Sequence, residues 1–200
     1  MKPSTEVKIG SLSLKNPVIT ASGTFGYGLE YSQFIDLNQL GGIVVKGLSL
    51  KPKEGNPPPR IYETPCGMIN SIGLQNIGFE NFVKEKLPFL KKFDTKIIVN
   101  FFGENLDEYV EMASKLSDTE GIHAIEMNVS CPNKSSEWKK LGLEPNLLRK
   151  AVKEVRAVTS KPLIIKLSPQ VTDIAIMAKI AEEEGASAVS LINTIPAMVI

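Results

Sequence analysis

Residues 162–168 read PLIIKLS, so three apolar residues lead straight into a lysine where a buried strand should still be running. The same event occurs at 42–47, GIVVKG. A buried ammonium group is costly unless its charge meets a partner, so the ends of these runs decide the architecture. Comparable runs lie at 17–22 (PVITAS), 96–102 (KIIVNFF), 124–130 (AIEMNVS) and 188–194 (AVSLINT). Continuous apolar or β-branched runs of this length suit strands of a parallel sheet, buried on both faces. Every run ends in groups a core does not want: Ser22, Lys46, Asn100, Asn128 followed by Cys131, Lys166, and Asn193 with Thr194.

Helical patterns separate most of the runs. In 105–117, Asn105 is placed to cap, and Leu106, Tyr109, Val110, Ala113 and Leu116 share one face. In 146–158, Leu147, Leu148, Ala151, Val152, Val155 and Val158 do the same. Thr172 is the expected cap of a third helix with Ile174, Met177, Ala178 and Ala181 inward. A further amphipathic segment, 79–93, carries Pro88, which should kink or shorten it. KPKEGNPPPR (51–60) reads as loop.

This alternation fits an open doubly wound sheet or a TIM barrel. An open sheet binds its ligand at one switch point, whereas all strand C-termini of a barrel converge on one site. Polar groups at the end of every run favour the α/β class with a TIM (β/α)8 barrel. Such barrels typically need about 250 residues, so about six βα units are expected here, within a single domain spanning 1–200. The expectation is a chain lacking the C-terminal part of its barrel.

Composition excludes several functions. Apolar residues make up 42% and charged residues 22%, ordinary values for a globular protein. A formal net charge of +1 gives no support for binding nucleic acid or an anionic membrane. No apolar stretch approaches the ~20 residues of a membrane-spanning helix, and MKPSTEVKIGSL lacks a signal-peptide core, so a cytoplasmic location is expected. Two cysteines and one histidine, without CxxC or HExxH spacing, make a poor metal inventory. His123 precedes its strand, at the end away from a site, and is expected to be structural.

Two lysines at equivalent strand ends point to an anion or cofactor. Asn100, Asn128 and Asn193 supply donor and acceptor together, which suits the edge of a heterocycle. The loop PCGMINSIGLQN (65–76) sets Asn70 and Ser71 between Gly67 and Gly73, so backbone amides and an amide side chain are available to a small ligand. No GxGxxG, P-loop, Ser-His-Asp set or close carboxylate pair appears, which leaves Cys131 as the acid–base candidate. Neighbouring lysines would lower its pKa.

NVSCPN (128–133), MINSIGLQN (68–76), VVKGLS (44–49) and IKLSPQVTDI (165–174) together resemble the class 1 dihydroorotate dehydrogenases, along essentially the whole chain. IGLQN and the SPxVTDI stretch look closest to class 1B, with Gln170 standing where asparagine is common. The resemblance implies FMN-dependent oxidation of dihydroorotate to orotate in pyrimidine (UMP) biosynthesis. Cys131 would then be the base that takes the C5 proton, where the membrane-linked class 2 enzymes have serine. By family position Ser22, Lys46, Gly47, Asn100, Asn128, Lys166 and Ile192 would contact FMN. Lys46, Asn70, Ser71, Ile72, Gly73, Leu74, Asn128, Asn193 and Thr194 would hold the substrate. The resemblance also implies a homodimer, or a heterotetramer with a second subunit that carries FAD and an iron–sulfur cluster and delivers electrons to NAD. Rival readings are a related flavin barrel that reduces pyrimidine bases, a Schiff-base aldolase using Lys166, and a degenerate barrel kept as a scaffold.

Overall fold

The computed structural model describes residues 4–130 and 140–199. A short antiparallel hairpin, β1 (Val7–Ile9) and β2 (Leu12–Leu14), precedes the first sheet strand, β3 (Gly42–Leu48). A second hairpin, β4 (Ile61–Thr64) and β5 (Gly67–Asn70), projects from the segment that follows. The sheet then continues with β6 (Lys96–Phe101), β7 (Ala124–Asn128), β8 (Leu163–Lys166) and β9 (Ala188–Ser190). Its order is β3-β6-β7-β8-β9, and every neighbouring pair is parallel. Five of the six expected strands are therefore present.

The sixth run, 17–22, is reduced to a single parallel bridge between Ile19 and Gly42. Asn16 turns the chain just before it, its side-chain oxygen accepting from Val18 N at 3.0 Å and Gly41 N at 3.1 Å. A turn starting at Ala21 ends the extended stretch. Between these turns Thr20 still follows the sheet edge, its hydroxyl accepting from Val44 N at 3.0 Å.

The helices lie where the periodicity places them. The helix α3 (Leu106–Asp118) is capped by Asn105, whose side chain accepts from Glu108 N at 2.9 Å, and α4 (Pro145–Ala157) begins with proline in its first turn. The cap of α5 (Ile174–Glu183) is Asp173, which accepts from Ala175 N at 2.8 Å, and not the expected Thr172. The two residues are neighbours in sequence, and the carboxylate is also favoured by the helix dipole. The segment around Pro88 splits into α1 (Gly78–Asn81), a π turn at 82–86 and α2 (Leu87–Leu90). Proline has no N–H to donate to the carbonyl one turn back. The widened turn accommodates it, with Leu87 N donating to Phe82 O, five residues back.

Alternation along the strands separates two apolar layers. Ile43, Val45, Ile97, Val99, Ile125, Met127, Leu163 and Ile165 face the helices, packing against Tyr109, Met112, Leu148, Val152 and Ile180. Val44, Ile98, Ala124 and Ile164 face the other way, where Leu12 and Leu14 of the first hairpin cover them. Burying each of those leucines contributes roughly 1.5–3 kcal/mol. The hairpin therefore plugs the N-terminal end of the sheet's inner face. Among the described residues no helix is long and apolar enough to cross a membrane.

Candidate functional site

The inner face changes character along the strands. On β6, apolar Ile98 is followed at the next inward position by Asn100; on β7, Ala124 is followed by Glu126 and then Asn128. On β8, Ile164 gives way to Lys166, and on β9, Ala188 to Ser190. On β3, Val44 gives way to Lys46. One end of the inner surface is thus a dry plug and the other, at the strand C-termini, is polar.

Hydrogen bonds tie these polar groups together across three strands, β6, β7 and β9. Asn100 Nδ2 donates to Glu126 Oε1 at 2.6 Å, and Ser190 Oγ donates to Glu126 Oε2 at 2.7 Å. Asn193 Nδ2 donates to Asn128 Oδ1 at 3.1 Å, and the same oxygen accepts from Ser130 N at 3.1 Å. Asn100, Glu126 and Asn128 are buried. A buried polar network of this kind is stabilising only when its members are satisfied; these pairings satisfy both oxygens of Glu126, while the buried Ser130 hydroxyl has no partner among the described residues.

The lysines meet at the same place. Burial, and then the positive charges of Arg60 and Lys166, hold the Lys46 ammonium below the usual lysine range. Neither Lys46 nor Lys166 forms an ion pair among the described residues. Cations brought together this way make a ready site for an anion. Lys46 N donates to Gly26 O at 2.8 Å, so the chain just after the turn that contains Ser22 runs alongside this end of β3.

The loop PCGMINSIGLQN folds over from the side. Arg60 donates from Nη1 to Asn56 O at 2.9 Å and from Nη2 to Gln75 Oε1 at 2.5 Å, while its own carbonyl accepts from Ser71 N at 2.9 Å. Asn56 holds the other side of the loop, with Nδ2 donating to Ser71 O at 2.8 Å and its backbone N to Ile72 O at 3.1 Å. Gly73 adopts φ 73°, and a Cβ there would lie 2.7 Å from Asn56. Buried Asn76 pins the loop to the end of β3, accepting from Ser49 N and Gly78 N and donating to Ser49 Oγ and Leu74 O. Asn70, Ser71, Ile72, Gly73 and Leu74 therefore sit beside Arg60, and Arg60 sits beside Lys46.

Of the residues singled out in the sequence, Lys46, Gly47, Asn100, Asn128, Lys166 and Asn193 come together at one end of the sheet. Thr194 follows Asn193 and is exposed, its N–H donating to Asn193 Oδ1 at 2.8 Å, and Ile192 is also exposed. Cys131, with Pro132 and Asn133, lies outside the described residues. Cys66 is exposed at the tip of the β4–β5 hairpin. His123 sits at the opposite end of β7, where its Nδ1 accepts from Ile97 N at 3.0 Å. Sequence reasoning missed Glu126, Ser190 and Arg60. Glu126 carried a signal, an acidic residue inside an apolar run.

Fold and site together define a class: an α/β chain with a barrel-like parallel sheet and a cationic, amide-lined site at the strand C-termini. The dihydroorotate dehydrogenase family model matches residues 4–200, and the chain belongs to that family. It is 80% identical over 198 residues to the dihydroorotate dehydrogenase B (NAD(+)) catalytic subunit of Thermodesulfovibrio yellowstonii, an alignment covering 99% of this chain and 65% of that protein. It is 57% identical over 195 residues to the catalytic subunit of the same name from Thermoanaerobacter sp. strain X514, covering 98% of this chain and 64% of the relative. A crystal structure of DHODH in complex with ferulenol from Eimeria tenella shares the fold with a TM-score of 0.76 at 21% identity, covering 98% of this chain and 61% of that one. The chain thus spans about two thirds of the length of these curated relatives.

Proposed function

We propose that the polar end of the sheet binds FMN and that the protein oxidises (S)-dihydroorotate to orotate in pyrimidine synthesis, in the cytoplasm. The observation that carries this reading is the convergence of Lys46, Arg60 and Lys166 with three asparagines at one set of strand ends. The residues fit a flat, anionic cofactor. Gly47 leaves its side open, since a Cβ there would come within 2.7 Å of Asn100 Oδ1. The cations lack counter-charges among the described residues.

Bound there, FMN supplies the acceptor for the hydride that leaves C6 of the substrate. Lys166 would help hold the cofactor and would supply positive charge that favours its reduction. Lys46 faces the substrate carboxylate, with Asn70 to Leu74 closing over it. Asn128, Asn193 and Thr194 orient the pyrimidine ring, which converts a bimolecular encounter into a positioned one. Ser22, Gly47, Asn100 and Ile192 complete the cofactor contacts. Cys131, as thiolate, takes the C5 proton as the C5=C6 double bond forms, so two electrons leave as hydride and one proton stays on sulfur.

The relatives' designation as catalytic subunits supports a partner subunit, which in class 1B would carry FAD and an iron–sulfur cluster and pass electrons to NAD. A homodimer of the catalytic chain is the expected core of that assembly. The test is the visible spectrum of the purified protein, followed by anaerobic addition of dihydroorotate. Flavin absorbance that bleaches on addition is expected. A colourless protein, or borohydride trapping of a carbonyl substrate on Lys166, would replace this reading with another.

A further inference from the structure

We infer that Glu126 sets the orientation of the Asn100 side-chain amide, so that its oxygen and not its nitrogen is presented to the bound cofactor. The inference rests on the reading that this site holds FMN.

Glu126 occupies the middle of β7 and is only 5% exposed. Both of its carboxylate oxygens accept, one from Asn100 Nδ2 at 2.6 Å and one from Ser190 Oγ at 2.7 Å. Asn100 lies directly across from it in the sheet register. An amide has a donor end and an acceptor end, whereas a carboxylate offers acceptors only. The consistent arrangement therefore turns Nδ2 towards Glu126 and leaves Oδ1 on the side of Gly47, where a Cβ would lie 2.7 Å from it. An acceptor at that position recognises an N–H on the flavin edge; an amide flipped the other way would oppose it with a second donor. Ser190, on β9 beyond the intervening β8, secures the second carboxylate oxygen, so Glu126 is held from both sides. Glu126 is thus a positioning residue that acts through Asn100.

The experiment compares FMN retention by holoprotein, measured by ultrafiltration, for wild type, Glu126→Gln, Asn100→Asp and the double variant. Glu126→Gln allows the Asn100 amide to flip, and Asn100→Asp sets two carboxylates against each other. Each single change should weaken FMN retention roughly ten- to a hundredfold, the effect of one mismatched buried hydrogen bond. In the double variant the donor and acceptor roles are exchanged between the two strands. The introduced glutamine on β7 donates its amide nitrogen to one oxygen of the introduced aspartate on β6, while its own oxygen accepts from Ser190. The aspartate's other oxygen remains an acceptor beside Gly47, so retention should return to within about tenfold of wild type. The visible bands of bound FMN should shift in Glu126→Gln and return in the double variant, a readout that a purely structural role for Glu126 does not move. A single variant that fails to fold beside a double variant that folds and retains FMN also supports the coupling. Wild-type retention in Glu126→Gln, or a double variant that fails to fold or retains FMN no better than the single variants, overturns it. Wild-type protein that takes up no FMN overturns the flavin reading itself, which is a different result.

Discussion

The Tyr109 hydroxyl donates to the backbone carbonyl of Asn128 at 2.6 Å, so a helix outside the sheet grips the strand end that carries a site asparagine. Tyr109 is fully buried, and its ring packs edge-on against Phe101 with centroids 6.0 Å apart. Tyr109→Phe keeps that packing and removes the donor to Asn128. Leaving a buried carbonyl unpaired costs about 1–3 kcal/mol. The denaturant midpoint should fall accordingly, and FMN retention should weaken several-fold as the end of β7 loosens. An unchanged midpoint would show that the bond contributes nothing.

Lys46 offers a case in which stability and binding oppose each other. Its folded value lies below the ordinary 10.5 because of burial and the neighbouring Arg60 and Lys166 charges. Between the folded value and 10.5 the unfolded chain binds more protons, so this group makes the ligand-free protein more stable as pH rises through that window. Below the folded value the lysine is charged in both states and the penalty is present in full. Lys46→Met should therefore raise the melting temperature of the ligand-free protein near neutral pH, by about 2–4 °C for each kcal/mol relieved. Orotate should raise the melting temperature of wild type and leave that of Lys46→Met nearly unchanged. A variant that melts lower than wild type without ligand would show that Lys46 already has a partner.

Much of this was legible in the residues alone, and the exceptions have physical causes. The strands β3, β6, β7, β8 and β9 announced themselves because a sheet covered on both faces needs unbroken apolar runs. The helices α3, α4 and α5 were visible through their periodic faces. The hairpins were not. β1 and β2 are three residues each, too short for a period to register, and β4 and β5 lie in a segment rich in proline and glycine. The run 17–22 read as a strand by composition, yet turns at both ends leave it only one bridge. Lys46, Asn100 and Lys166 could be found because a polar residue ending an apolar run is anomalous. Arg60 could not, because its proximity to Lys46 depends on how a long loop folds back. Glu126 was legible as an acidic residue inside an apolar run, but its pairing with Asn100 and Ser190 depends on the sheet order that brings β6 and β9 to its two sides.

At the other end of β7, His123 predicts a pH dependence of stability. Burial, and then Lys96 and Lys161, hold its pKa below the ordinary 6.5, and its Nδ1 accepts from Ile97 N. The unfolded chain takes up a proton first, so stability is complete above 6.5 and declines as pH falls from 6.5 through the folded value. Glutamine at this position supplies an oxygen acceptor that does not titrate. His123→Gln should reduce the drop in melting temperature between about pH 7.5 and about pH 5.5. An identical drop in both proteins would place the acid-sensitive group elsewhere.

Cys131 carries the sharpest chemical expectation. If Cys131 is the base for the C5 proton, as proposed, it must act as thiolate, the nucleophilic and proton-accepting form of the side chain. Cys131→Ala should keep bound FMN and lose roughly 10²–10⁴-fold in the rate of flavin reduction by dihydroorotate, the usual contribution of a positioned acid–base group. Cys131→Ser should retain part of the rate, with its optimum moved to higher pH, because a hydroxyl gives up its proton less readily than a thiol. Anaerobic stopped-flow reduction across a pH series measures both effects. Near-normal reduction of Cys131→Ala at neutral pH would assign the proton to another group, and retained FMN in the same variant would show that the cofactor site had not been lost with it.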